Sequence, residues 1–523
     1  MHLSKSLLKA QKYLFVNDEY CLTLVDRIID KGEASSQVYE LKAKCYLNLG
    51  CHLLAAECAE MAIKQGGANA SLYTILLESR LNCSDHQSVE YLIEKLADSK
   101  ALYDVLIEDV AQSAHLINHN TLAEKLYLKL LSTDSHNHLY LTRLGAIYQK
   151  MGDMDKAQVY YLSAIERSPK YAIAYNLLAN VRKQTAQFNH IDLLKDAFER
   201  SEPSSDSYAL IAYALGKEYE DLGEYTDSFM HYNAGAKAMR QHINFDIAKV
   251  KQAFSLTKEY FARDTVEPVL AVNSLSSKTP TPIFVLGMPR TGSTLIDRVL
   301  SSHSQVESLG ELSCFKESMK RVTNFQGGEG FHHQFYRYSK GQVNFQKLGE
   351  IYQQLAKPVN ANSCYFIDKY PMNYMDLGTI AKALPHAKFI NTIRDPMSTV
   401  FSNFKQIFTH GMYNYSYEQT ECAQQTLYYR DLMTFWHKQF PGRILDVPYE
   451  AMVGNTEKQT LSLLNFLKLD WDENCLNFHK NKSSVATASV SQVRQPIYKS
   501  SVAGWKNYEQ FLEPAQQVFS DQG

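Results

Sequence analysis

No CxxC pair occurs anywhere in this sequence. Its nine cysteines (Cys21, Cys45, Cys51, Cys58, Cys83, Cys314, Cys364, Cys422 and Cys475) are odd in number and dispersed. That pattern excludes the usual zinc spacings and a secreted disulfide framework, and predicts reduced, mostly core thiols in a cytoplasmic protein. Charge of one sign is equally scarce. With a formal net charge of -2 and a pI near 6.8, the chain has no global electrostatic reason to bind nucleic acid or an anionic membrane surface, so any anion site must be local. The opening stretch MHLSKSLLKAQKYLFVNDEY is interrupted by lysines and has no small-residue cleavage pattern. It is expected to be neither a signal peptide nor a membrane anchor.

The most informative absence is a lysine. Within PIFVLGMPRTGSTLIDRVLSSH, residues Ile283, Phe284, Val285 and Leu286 form a continuous apolar run, as a strand covered on both faces requires. Gly287 and Gly292 then permit a tight turn that aims the amides of a helix start at an anion. Their spacing fits the phosphate loop of nucleotide triphosphatases, but Ser293 stands where those enzymes place a lysine, followed by Thr294. Without that lysine a magnesium triphosphate is disfavoured. Thr291, Ser293 and Thr294 supply hydroxyls, and Arg290 supplies a cation inside the loop.

What the chain does contain divides it in two. At 523 residues, at least two domains are expected. In the first half, Leu144, Gly145, Tyr148, Ala157, Tyr161, Ala164 and Pro169 occupy the offsets of a tetratricopeptide repeat (TPR). Leu144 and Tyr148 would line the inner face of one helix, Gly145 and Ala157 would let a second helix approach, and Pro169 would end the unit. Degenerate copies lie earlier (Tyr39, Ala43, Tyr46, Gly50, Ala55, Ala59, Ala62) and later (Leu215, Gly216, Tyr219, Gly223, Tyr232). The expectation is a helical solenoid over 1–261, a Pro- and Ser/Thr-containing linker over 262–281, and a third segment over 282–523. The solenoid would offer a concave surface for a peptide or protein, or would pack only on its own catalytic domain or another copy.

In the third segment strands alternate with helices: strands are expected at Tyr365–Ile367, Lys388–Ile393 and in GRILDVPYEAM, with a helix ending before Pro385 and another in TEKQTLSLLNFLKL. This predicts an α/β domain with a central parallel sheet whose functional groups sit at the carboxyl ends of the strands. Arg290, then Asp368 and Lys369, then Arg394 and Asp395, then Tyr449 are placed just after successive strands. Cations at consecutive strand ends suit a multiply charged ligand.

FVLGMPRTGSTLIDRVLSSH and FINTIRDPMSTVFSNF together resemble the sulfotransferases that use 3′-phosphoadenosine 5′-phosphosulfate (PAPS), in particular the TPR-containing bacterial type related to protein-tyrosine sulfotransferases. The resemblance implies that Arg290, Thr291, Gly292, Ser293 and Thr294 surround the phosphosulfate, that Arg394 and Ser402 hold the 3′-phosphate, that Tyr449 lies near the nucleotide and that Ser489 sits on a late loop closing over it. It implies Glu311, in VESLGELSCF, as the base, with Glu307 competing, and Arg290 and Lys369 as the catalytic cations. Glu311 would act with a pKa raised by partial burial. One departure is Gly504-Trp505, where relatives carry a lysine before the tryptophan; Lys499 or Lys506 would have to supply that charge. No metal is required. The acceptor, a protein tyrosine, carbohydrate, lipid or small phenol, stays open, as does oligomeric state, a homo-oligomer included. His303 is a minor candidate base, and His332-His333 reads as loop surface. The competing functions are a P-loop kinase or nucleotide triphosphatase, and a TPR interaction scaffold with an inactive sulfotransferase-like domain.

Overall fold

Short polar side chains mark where the helices begin. Ser35, Asn69, Asp85, Asn137, Asp153 and Ser205 each accept a backbone amide of the first turn that follows them, satisfying donors that have no partner inside a helix. Gly50, Gly152 and Gly223 follow the first helix of a pair with φ of 65°, 90° and 81°, the left-handed conformation that glycine adopts most readily. The computed structural model describes residues 5–263, 280–323, 325, 343–360, 362–408, 411–481 and 502–521. Ser489, Lys499, His332, His333 and residues 264–279 of the expected linker lie outside the described residues.

Packing groups the chain into two compact units. The first comprises Met1–Thr133, Glu311–Val359 and Lys382–Leu384; the second comprises Asp134–Gly310, Asn360–Ala381 and Pro385–Gly523. In the first unit, helices such as Ser36–Asn48 and His52–Lys64 pair through buried Ala43, Ala55, Ala59 and Ala62. The helix Cys314–Thr323 supplies Glu317, which accepts the Leu53 amide at 3.3 Å and pairs with Lys320 at 2.6 Å.

The second unit holds two helix pairs, His138–Met151 with Met154–Arg167 and Asp206–Leu222 with Tyr225–His242, and the whole sheet. In each pair a glycine admits an aromatic ring. A Cβ on Gly145 would come within 2.5 Å of the Tyr161 ring, and one on Gly216 within 2.6 Å of the Tyr232 ring. Pro169 lies just beyond the end of Met154–Arg167.

Five strands form the sheet: β1 Thr281–Gly287, β2 Val306–Ser308, β3 Tyr365–Lys369, β4 Lys388–Ile393 and β5 Ile444–Pro448, in the order β2-β3-β1-β4-β5, all parallel. The architecture is thus α plus α/β. On one face, Ile283, Val285, Ile367, Ile390 and Val447 pack with Leu295, Val299, Leu463 and Leu464 of the covering helices. On the other, Phe284 stacks on Phe389 at 5.8 Å. The helix Gln419–Gln439 buries Trp436, whose indole N–H donates to the Tyr374 carbonyl at 2.9 Å.

Two strand expectations need correction. Asp368 and Lys369 do not follow their strand but end it: Lys369 pairs in register with Val285, and its amide donates to the Gly310 carbonyl at 2.9 Å. Burial of Asp368 is tolerated because its carboxylate accepts from the Asn373 amide group at 3.2 Å. Strand β2 was not expected at all; three residues are too few for a periodic signal. After β1 the chain visits β2 and β3 on one side and then crosses to β4 and β5 on the other. The carboxyl ends of β1 and β4 therefore flank the crevice where such sheets bind ligands.

Candidate active site

The loop after β1 is held in shape from beneath. Gly287 has φ 143°, and a Cβ there would lie 2.5 Å from the Thr392 carbonyl on β4, so only glycine lets the two strands approach this closely. Thr291 is 2% exposed, and its hydroxyl contacts the Met288 carbonyl at 2.6 Å and the Thr392 hydroxyl at 2.7 Å. The Thr392 hydroxyl in turn reaches the Leu286 carbonyl at 3.1 Å. The Thr291 side chain thus braces the loop, whereas the resemblance placed it around the ligand.

Arg290 sits in the left-handed region at φ 66°. Gly292, at φ 103°, is the N-cap of the helix Ser293–Ser301, and its carbonyl accepts the Leu295 and Ile296 amides at 3.0 and 3.1 Å. The amides of a helix's first turn have no carbonyl partner within that helix, and the helix dipole adds positive potential there. Ser293 and Thr294 occupy this turn, both buried. A loop of this kind can receive a phosphate or sulfate oxygen group.

The second wall of the cradle is Arg394, immediately after β4. One terminal nitrogen of its guanidinium donates to the Arg290 carbonyl at 2.8 Å and to the Ser402 hydroxyl at 3.1 Å. The guanidinium also lies over the Tyr449 ring, 4.7 Å from its centroid, a favourable cation–π arrangement. Tyr449 packs in turn against Gly292, where a Cβ would come within 2.6 Å of the ring. Five of the expected residues, Arg290, Gly292, Arg394, Ser402 and Tyr449, are therefore joined by direct contacts.

The helix Pro396–Phe404 carries Ser402 and is fixed at both ends. Asp395 caps it by accepting the Ser398 amide at 2.7 Å, while its own amide donates to Glu450 at 3.0 Å. At the other end Asn403, fully buried, donates to the Pro289 carbonyl at 2.9 Å and to the Thr399 carbonyl at 2.9 Å. Asn403 was not among the expected residues; one more polar residue beside Ser402 in a short helix carries no signal of its own. Below the crevice, Tyr429 donates to Asn391 of β4, whose amide donates to Asp446 of β5 at 2.8 Å. Burial pushes the Tyr429 phenol far above its usual range, so it remains a neutral donor.

The remaining expected residues fall as follows. Lys369, 2% exposed, ends β3 beside β1. Glu307 on β2 is engaged with the chain, accepting the Asn360 amide at 2.8 Å and contacting the Ser363 hydroxyl at 3.5 Å. Glu311 belongs to the first unit and is exposed, which corrects the expectation of partial burial. His303 lies beyond the end of its helix. One ring nitrogen meets the Asp470 carbonyl at 3.1 Å and the other accepts the Gln305 amide at 3.1 Å, a structural connection that leaves little for catalysis. Lys506 is exposed in the short helix Gly504–Phe511. Among the described residues no group of three or more His, Cys, Asp or Glu is gathered to hold a metal, and no helix is long and apolar enough to cross a membrane.

Fold and cradle define an α/β domain whose strand-loop-helix turn is suited to an anion. Residues 282–473 match the model of the sulfotransferase family. A protein of Aquifex aeolicus (strain VF5), described only as uncharacterized, is 26% identical over 73% of this chain and 50% of its own length. Protein-tyrosine sulfotransferase 1 of Danio rerio is 27% identical over 41% of this chain and 60% of its own. The chain thus spans between half and three-fifths of these two relatives. The sulfotransferase domain of the Synechococcus PCC 7002 olefin synthase superposes with a TM-score of 0.31 and 22% identity, covering 44% of this chain and 88% of that one.

Proposed function

We propose that the protein is a PAPS-dependent sulfotransferase. The observation that carries this reading is the single guanidinium of Arg394 tied at once to the loop carbonyl of Arg290 and to Ser402, which joins two anion-binding elements at the carboxyl ends of β1 and β4. A donor bearing phosphate groups at both ends of one nucleoside suits two such elements. Gly287 and Gly292, where a Cβ would meet Thr392 or Tyr449, let the loop pack closely on β4 and on the Tyr449 ring and so hold its shape. Ser293 in the lysine position leaves nothing in favour of a magnesium triphosphate.

PAPS would supply an SO3 unit already bonded to a good leaving group. The acceptor oxygen bonds to sulfur as the bond from sulfur to the bridging phosphate oxygen breaks, and charge grows on that oxygen. Arg290 and Lys369 would neutralise it, the amides at Ser293 and Thr294 would orient the phosphosulfate, and Glu311 would take the acceptor's proton. The role of Glu311 rests on the sequence resemblance, with Glu307 disfavoured because its carboxylate is engaged by Asn360 and Ser363. Ser489 as a closing residue rests on that resemblance alone.

The acceptor we favour is a protein tyrosine, in line with the named vertebrate relative, held by helix pairs read as a TPR array. Nine free thiols, eight of them buried, support a reducing compartment such as the cytoplasm. The test is calorimetric titration with 3′-phosphoadenosine 5′-phosphate, then incubation with radiolabelled PAPS and a cell lysate. Binding that is lost in Arg394→Ala, with label entering macromolecules, is the expected result. Absence of binding refutes the donor assignment, and label confined to small metabolites refutes the protein acceptor. Binding without any labelled product supports the inactive scaffold instead.

A further inference from the structure

We propose that the helix pair Asp206–Leu222 and Tyr225–His242 positions the donor-binding helix Pro396–Phe404, with Tyr213 and Glu220 as positioning residues acting through Phe404 and Lys405. The inference rests on the PAPS reading above and extends it to a part of the chain outside the segment that matches the sulfotransferase family.

The helix Pro396–Phe404 ends where it matters most, because Ser402 and Asn403 lie in its last turn. Its terminal carbonyl, on Phe404, accepts the Tyr213 hydroxyl at 3.0 Å in a buried setting. Carbonyls at a helix C-terminus lack partners within the helix, so Tyr213 fills a vacancy that no neighbouring residue of the helix fills. The Tyr213 ring is buried and packs closely on Gly235, where a Cβ would come within 2.7 Å of it. The next residue, Lys405, is the C-cap and pairs with Glu220 at 2.5 Å. Glu220 is itself held by the Tyr232 hydroxyl at 3.0 Å. Aromatic rings complete the seat: Phe229 stacks on Phe404 at 6.0 Å, and Tyr508 lies 4.2 Å from Phe401 while bonded to Ser228 at 3.0 Å.

A shift of this helix end moves Ser402 relative to Arg394, so the property at stake is recognition of the 3′-phosphate. The full-length protein is titrated with 3′-phosphoadenosine 5′-phosphate and with adenosine 5′-phosphate, and the ratio of the two affinities measures what the 3′-phosphate contributes. Tyr213→Phe should lower that ratio by about two- to thirtyfold, the range for coupling through packed networks. Lys405→Met should lower it, and Lys405→Arg, which keeps the ion pair, should restore it. A merely structural role would lower the melting temperature and leave the ratio unchanged, and an unchanged ratio in both Tyr213→Phe and Lys405→Met overturns the proposal. Should Tyr213→Phe fail to fold, the comparison of Lys405→Met with Lys405→Arg, at a partly exposed pair, decides alone. Failure of the unaltered protein to bind the bisphosphate overturns the donor reading and this inference with it, whereas binding with an unchanged ratio overturns only this one.

Discussion

Replacing Gly292 by alanine tests the cradle at its tightest point. The residue has φ 103°, and an added Cβ would lie 2.6 Å from Cδ2 and 3.3 Å from Cε2 of Tyr449. Two costs follow. A side chain at that φ strains the backbone by about 1–3 kcal/mol. The ring must also retreat, loosening its stack on Arg394, now 4.7 Å away, at about 0.5–2 kcal/mol. Because the free loop can relax out of the binding geometry, the total of roughly 1.5–5 kcal/mol is lost from donor affinity, about tenfold to a few thousandfold. A double-mutant cycle separates the parts. In a Tyr449→Ala background the steric cost vanishes and only the φ strain remains, so Gly292→Ala should cost about 0.5–2 kcal/mol less there than in the unaltered protein. Calorimetric titration of the four proteins with 3′-phosphoadenosine 5′-phosphate measures both. Unaltered affinity in Gly292→Ala, or effects that add to within about 0.5 kcal/mol, would refute the contact between Gly292 and Tyr449 as the cause.

Three further outcomes are expected. Asn403→Ala leaves the buried Pro289 carbonyl without its 2.9 Å donor, a cost of about 1–3 kcal/mol; donor affinity should fall by up to about five- to 150-fold, and calorimetry giving unchanged affinity counts against the brace. Gly145→Ala drives a methyl to within 2.5 Å of the Tyr161 ring and should destabilise its helix pair by about 1–3 kcal/mol, seen as a lower melting temperature that Tyr161→Leu partly restores. Burial pulls Lys150, in the last turn of the helix His138–Met151, down to about 8. Between that value and the unfolded-state value of about 10.4 the unfolded chain holds more protons, so stability rises with pH across this window and the penalty is fully present below it. Lys150→Met should therefore melt higher than the unaltered protein at pH about 7, with the difference narrowing by pH about 9.5; a constant difference would show that the lysine is not desolvated.

The residues legible in the sequence share one property, that they belong to short motifs, although their partners can lie far away, as Arg394 reaches Arg290 across 104 residues. Gly287 and Gly292 belong to one turn, and Arg394 and Ser402 stand eight residues apart across a strand end and a short helix, so their joint role leaves a local pattern. The strands β1 and β4 are visible as largely apolar runs because both of their faces are buried in the sheet. The end of β3 was misjudged for a complementary reason: Asp368 and Lys369 break the apolar run, and only the pairing with β1 shows that the strand continues.

The bracing groups have no such local signature. Asn403 meets Pro289 across 114 residues, Lys405 meets Glu220 across 185, and Tyr213 meets Phe404 across 191. An asparagine, a lysine or a tyrosine in a helix carries no mark of the distant carbonyl or carboxylate it will meet. The same limit governs Thr291, whose place in the motif suggests a ligand contact while its hydroxyl turns inward to Met288 and Thr392. Groups that face a ligand are constrained by the ligand's dimensions, and so recur at fixed spacings. Groups that hold those in place are constrained only by the fold, so only burial and distance reveal them. Variants at Asn403 and Tyr213 therefore test the structure in a way that variants at Arg394, nameable from sequence alone, do not.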